Sequence, residues 1–169
     1  MKNFWIVFGF LCMQISSSVC AQANLSYFEK PQKVANITYS DLSNTRHRLY
    51  ELPKQYTVIH YWATWCSYCI KEMPSFLYLK SELEKKNVNV IPISLDFDYA
   101  SVKNKVNYKG IDIEKLNSFT NLENNDMELL PNKLIPSTFI LNEKQEIVLQ
   151  VIGSLNWYDN VQVVLDLIP

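Results

Sequence analysis

Apolar positions recur along the chain with two periods, and the switches between them outline an alternating α/β protein. Thr57 to Trp62 is β-branched and aromatic with almost no polar break, which predicts a central strand buried on both faces. From Ser67 to about Lys86 the apolar side chains Ile70, Met73, Phe76, Leu77 and Leu79 fall at helical spacing. Pro74 inside that stretch predicts a kink. Asn89 to Leu95 reads as the next strand, and Ala100 to Tyr108 as a helix stopped by Gly110. Pro136 to Leu141 and Ile147 to Val151 read as two strands joined through Asn142-Glu143-Lys144-Gln145. Tyr158 to Ile168 closes the chain as an amphipathic helix, with Val161, Val164, Leu165 and Ile168 on one side and Asp159 near its start.

Upstream, Val34 to Tyr39 and Arg46 to Leu49 read as an N-terminal β-hairpin turning at Ser40 to Asn44. Residues 22–33 are polar and read as a linker, so the domain is expected over 34–169. Ile111 to Leu134 is rich in Asn, Asp and Glu, with a short helix expected around Asp126 to Leu130. A segment of that length is too long for a bare loop in a compact domain.

The first 21 residues have the form of an export signal. Lys2 precedes the apolar run Phe4 to Met13, a polar stretch follows, and small residues permit cleavage after Ala21 or Ala23. The run is shorter than the ~20 apolar residues a membrane span needs. An uncleaved anchor is the alternative reading. Val19 sits where a lipid-attachment signal at Cys20 would want a small side chain, which argues against lipidation.

Cleavage changes the cysteine inventory. Cys12 and Cys20 leave with the signal, and Cys66 and Cys69 remain. Removing Lys2 moves the net charge from −1 to −2. Two thiols so close in sequence close too small a loop to stabilise a fold much, so the pair reads as chemistry rather than as a staple. A near-neutral chain has no electrostatic footprint for nucleic acid. Three glycines, at 9, 110 and 153, do not make a phosphate-binding loop.

The motif Cys66-Ser67-Tyr68-Cys69 joins the apolar strand to the helix-like stretch. That places Cys66 at a helix N-terminus, where unpaired N–H groups favour a thiolate. Cys66 is the expected nucleophile and Cys69 the expected resolving thiol. Glu72 follows Cys69 on roughly the same helix face and is a candidate proton acceptor; the plainer reading is a solvated glutamate. His60, on the same strand face as Trp62, is a candidate proton relay, against the plainer reading of a structural histidine. Trp65 and Tyr68 flank the cysteines and are candidates for an apolar rim that a partner would touch, or for core packing. His47, between Arg46 and Arg48, reads as a surface residue.

Trp62-Ala63-Thr64-Trp65-Cys66, Cys69-Ile70-Lys71-Glu72-Met73-Pro74 and the distant Ile135-Pro136-Ser137-Thr138-Phe139-Ile140-Leu141 together resemble the exported TlpA/ResA/CcmG-like thiol-disulfide oxidoreductases. Gly153 to Trp157 fits the stretch that opens the last helix in this group. The resemblance covers about Val34 to Pro169. It implies a thioredoxin-like fold: a central mixed sheet flanked by helices. It also implies a cis bond before Pro136, lying against the CxxC, with the Ile135 backbone open to an incoming peptide strand. No cofactor is implied. The implied partners are protein disulfides or dithiols and a membrane electron donor, in the periplasm or cell envelope, with disulfide reduction in cytochrome c maturation as the favoured role.

Two positions depart from the pattern. His60 stands where thioredoxin has Asp and the TlpA-like group often has Asn, and Ser67-Tyr68 lacks the proline common between the cysteines. Both bear on the redox potential. Two other functions compete. Two thiolates and a histidine are a donor set for Cu(I), which would make the chain a metallochaperone. Peroxide reduction wants Thr three residues before the reactive cysteine, where this chain has Ala63.

Overall fold

The computed structural model describes residues 23–34, 37–41, 43–96, 100, 102–104, 111–116, 119–121 and 134–169. The export signal, the Asp126–Leu130 helix and most of the Ala100–Tyr108 helix lie outside the described residues; 100 and 102–104 are helical.

The buried run at 57–62 forms β4 (Thr57–Trp62), with every residue buried. It pairs in parallel with β5 (Asn89–Ser94) and antiparallel with β7 (Ser137–Leu141). β8 (Glu146–Ile152) returns antiparallel to β7. The turn between them is held by Asn142, whose side-chain carbonyl accepts from the N–H groups of Lys144 and Glu146. On the other side, β6 (Phe119–Asn121) pairs in parallel with β5 and antiparallel with β2 (Thr38–Ser40). β2 and β3 (Arg46–Arg48) form the expected N-terminal hairpin. His47 is half-buried there and bonded to Asp41, whose side chain also caps the hairpin turn.

Within the linker expected over 22–33, residues 24–33 form a strand. β1 (Asn24–Lys33) lies antiparallel along β8 and forms the sheet edge, giving the order β1-β8-β7-β4-β5-β6-β2-β3. Its side chains are mostly exposed, so the polar pattern of a tether and of this strand are the same. What holds it is the backbone ladder to β8, with Leu25 and Phe28 packed on the two cores, and no regular side-chain period announces it.

α1 (Ser67–Glu84) and α3 (Trp157–Leu165) pack on one face of the sheet, against each other; α2 (Ile113–Leu116) is a short helix before β6. α1 runs through Pro74 unbroken, and the Tyr158 hydroxyl donates to the Pro74 carbonyl. Val58, Trp62, Met73, Phe76, Leu79, Ile140, Leu149 and Trp157 belong to the core under the helices. Ile59, Tyr61, Ile91, Ile93, Phe139, Leu141 and Ile147 make the core on the opposite face. This is the alternation that a strand buried on both sides demands. At β8 the register shift between Ile140 and Leu141 skips Val148, so Ile147 and Leu149 serve opposite cores although two residues apart.

Phe76 is the keystone between α1 and β4: it is fully buried and stacks on His60 with ring centroids 4.0 Å apart. Phe76→Ala is expected to cost about 3–5 kcal/mol in urea unfolding, with the denaturant midpoint lowered and the slope retained.

Candidate active site

β4 ends at Trp62, and a tight turn, closed by the Cys66 N–H donating to the Ala63 carbonyl, delivers Cys66 to the start of α1. Cys66 is the N-cap: its backbone is extended, and its Sγ accepts from the Cys69 N–H at 3.1 Å. Cys66 and Cys69 are joined in a disulfide. The two sulfurs are not equivalent. Cys66 keeps 8% of its surface and Cys69 none, so only Cys66 can be reached by a partner.

The Ile135–Pro136 bond is cis, as the resemblance implies. The Ile135 carbonyl oxygen lies 3.9 Å from Cys66 Sγ, so the turn before β7 does sit against the CxxC. Gly153 fastens this turn from behind, its N–H donating to the Pro136 carbonyl; its φ of 94° is in the region that glycine occupies without a Cβ penalty. Trp65 and Tyr68 are both more than half exposed, and Leu134 is half exposed beside the turn. Trp62, by contrast, is wholly core.

Glu72 is not a solvated helix residue. It is 3% exposed, and its Oε1 accepts from the indole N–H of Trp157, the first residue of α3. Oε2 lacks a hydrogen-bond partner, and the neighbouring Leu155 backbone and Ser154 side chain favour the charged form only weakly against burial. Burial pushes the carboxyl up from its ordinary 4.5 to about 8. It borders a groove of about 490 Å³ between α1 and the start of α3, lined also by Tyr68, Lys71, Pro74, Leu155 and Tyr158. α1 therefore places Glu72 one turn beyond Cys69, with both buried. The role of Trp157 was out of reach for sequence reasoning, since an N-terminal tryptophan of an amphipathic helix reads as core.

His60 lies under α1, on the same side as Trp62. Its Nδ1 is 2.9 Å from Thr138 Oγ1 across the β4–β7 ladder, and its Nε2 has no partner. Full burial pulls its pKa down to about 3. The imidazole is therefore neutral and a weak base. Among the described residues no group of three His, Cys, Asp or Glu is placed to hold a metal ion.

The profile of the AhpC/TSA family matches residues 31–150. The chain belongs to the AhpC/TSA family. Its curated relatives include the thiol-disulfide oxidoreductase ResA of Bacillus thuringiensis, 26% identical over 72% of this chain and 69% of that one. The probable thiol:disulfide interchange protein DsbE-2 of Pasteurella multocida is 30% identical over 48% and 50% of the two chains. Among solved structures, a secreted thiol-disulfide isomerase of Corynebacterium glutamicum superposes with a TM-score of 0.68 at 18% identity, covering 85% of this chain and 90% of that one. StoA of Bacillus subtilis superposes with a TM-score of 0.60 at 20% identity, covering 78% and 98%. The fold is thioredoxin-like, and within the family the chain is ResA- and DsbE-like.

The two buried groups shape stability against pH in opposite directions. Glu72, raised above its unfolded value, contributes stability that is complete below about 4.5 and lost as pH rises through about 8. His60, lowered, contributes stability present above 6.5 and lost as pH falls toward about 3. Between 4.5 and 6.5 the two slopes oppose each other, so maximal stability of the oxidised protein is expected there. Glu72→Gln is expected to remove the decline between pH 6.5 and 8, at most ~1.4 kcal/mol per pH unit, and to leave the acid limb intact; chemical denaturation at a series of pH values measures both.

Proposed function

We propose that this chain, a thiol-disulfide oxidoreductase, works outside the cytoplasm as a reductase of selected protein disulfides. The observation that carries the reading is the asymmetry of the pair: an accessible Cys66 at a helix N-cap and a sealed Cys69 one turn from a buried carboxyl poised near neutrality. In the reduced protein the Cys66 thiolate attacks a partner disulfide. The partner's S–S bond breaks, a Cys66–partner bond forms, and the partner's other sulfur leaves and takes a proton. Glu72 accepts the Cys69 proton, and the Cys69 thiolate attacks Cys66 Sγ. The partner leaves with both thiols reduced, and the Cys66–Cys69 disulfide remains. The partner segment docks as an extended strand on the Ile135 backbone before Pro136, with Trp65 and Tyr68 as its apolar rim.

The signal-like first 21 residues and the ResA and DsbE relatives support an extracytoplasmic place and a role in cytochrome c maturation. One turnover consumes two electrons, so a membrane dithiol donor is the implied second partner.

Cys69→Ala removes the resolving thiol and traps partners on Cys66. Capture of apocytochrome c or its maturation factors is the expected outcome; capture of many unrelated exported proteins would point to a general role instead. A reduction potential near the strongly oxidising end, about −120 mV, would overturn the reductase assignment. Glu72→Gln is expected to slow insulin disulfide reduction by about 100-fold at neutral pH, with Cys66 alkylation little changed.

A further inference from the structure

The parallel strands β4 and β5 end side by side, Trp62 opposite Ser94, and the chain beyond each end is tied to the other. The Leu95 N–H donates to the Trp62 carbonyl at 2.9 Å, extending the ladder by one step. Beyond it, Asp96 turns its carboxylate onto Thr64, the residue two before Cys66. Oδ2 accepts from the Thr64 N–H at 2.8 Å and from the Ser94 hydroxyl at 2.7 Å, and Oδ1 accepts from the Thr64 hydroxyl at 2.5 Å. Ser94 Oγ in turn accepts from the Asp96 N–H at 3.1 Å. Thr64, Ser94 and Asp96 are all buried.

A buried carboxylate is costly unless fully hydrogen-bonded, and this one sits in the cleft beyond the C-terminal ends of parallel strands, where α/β sheets place their chemistry. Two of these bonds fall on one residue of the turn that carries the nucleophile. Thr64 lies inside the Ala63–Cys66 turn, so fixing its backbone N–H and its hydroxyl together fixes that turn's orientation. Two things follow from a fixed turn. Trp65 is held outward while its neighbours are buried, and Cys66 is held at the N-cap with its sulfur on the Cys69 N–H.

We propose that Asp96, acting through Thr64, is a positioning residue for the thiol-disulfide reaction: the carboxylate clamp orients the 63–66 turn so that Cys66 meets the first-turn N–H groups of α1 and Trp65 faces the partner. This rests on the reading of Cys66 as the nucleophile. It assigns a function to Ser94, Asp96 and Thr64, which neither the redox motif nor the proton-transfer step uses.

Thr64→Val tests it, because it removes the hydroxyl donor and leaves the charge of Asp96 in place; Thr64→Ser keeps the donor and serves as the rescue. The reduced full chain is alkylated with iodoacetamide across pH 4–10, and kcat/KM is measured with insulin as the disulfide substrate. Thr64→Val is expected to raise the midpoint of the Cys66 alkylation profile and to slow attack at pH 7 several-fold, with Thr64→Ser close to the parent chain. Asp96→Asn is expected to shift the profile in the same direction. A Thr64→Val profile that superposes on the parent, even with a lowered Tm, would overturn the clamp and leave it a purely structural contact. So would a downward shift in Asp96→Asn with Thr64→Val unmoved, since that is the signature of a removed charge and not of a released turn. A parent Cys66 with the profile of an ordinary thiol would instead count against its assignment as nucleophile.

Discussion

The pairing of β4 on both of its edges is the constraint from which the site follows. β4 runs directly into the turn that carries Cys66, and β7 begins immediately after Pro136. The antiparallel register that sets Tyr61 opposite Ser137 therefore also sets Ile135 against Cys66. On the other edge, the parallel register that sets Trp62 opposite Ser94 brings Asp96 to Thr64. A slip of one residue in either ladder would turn His60 and Trp62 from one core to the other, so burial of both faces makes these registers stringent. The chemistry is assembled at the end of one strand because that strand has no freedom.

The site is built from groups whose burial is unfavourable and whose compensation is incomplete. Glu72 receives the Trp157 indole N–H yet keeps an unpartnered Oε2, and His60 keeps an unpartnered Nε2. Asp96, by contrast, has donors on both oxygens. The difference matches the work proposed for each. A carboxyl that must exchange a proton near neutrality has to be denied full stabilisation of its charge, whereas one that holds a turn has to be given it. His60 is packed between α1 and β4, its ring stacked on Phe76 and bonded to Thr138.

Much of the frame was legible in the chain itself. The apolar run at 57–62, the helical period from Ser67 and the paired strands around Asn142 to Gln145 each announce their element, because each buries a face that must be apolar. The segment at 24–33 is the complementary case: a mostly exposed edge strand carries no regular apolar period, and its place is set by the backbone ladder to β8 with only Leu25 and Phe28 packed on the two cores. Glu72 and Asp96 show the same limit in the site. Nothing in a single sequence distinguishes a glutamate on the outer face of a helix from one sealed by the next helix, or an aspartate in a loop from one bonded to a turn 32 residues away.

What the sequence determined by itself is the chemistry available: two thiols three residues apart, at the junction of a buried strand and a helix, with a proline far downstream. Local rules suffice for that, since the periods of strand and helix and the helix N-terminus are short-range properties. What only the tertiary structure decided is which sulfur is open, which buried carboxyl keeps an unpartnered oxygen and which is bonded on both. Those are matters of burial and of partners distant in the chain, and they exist only once β4, β5, β7 and the two helices have closed around the pair.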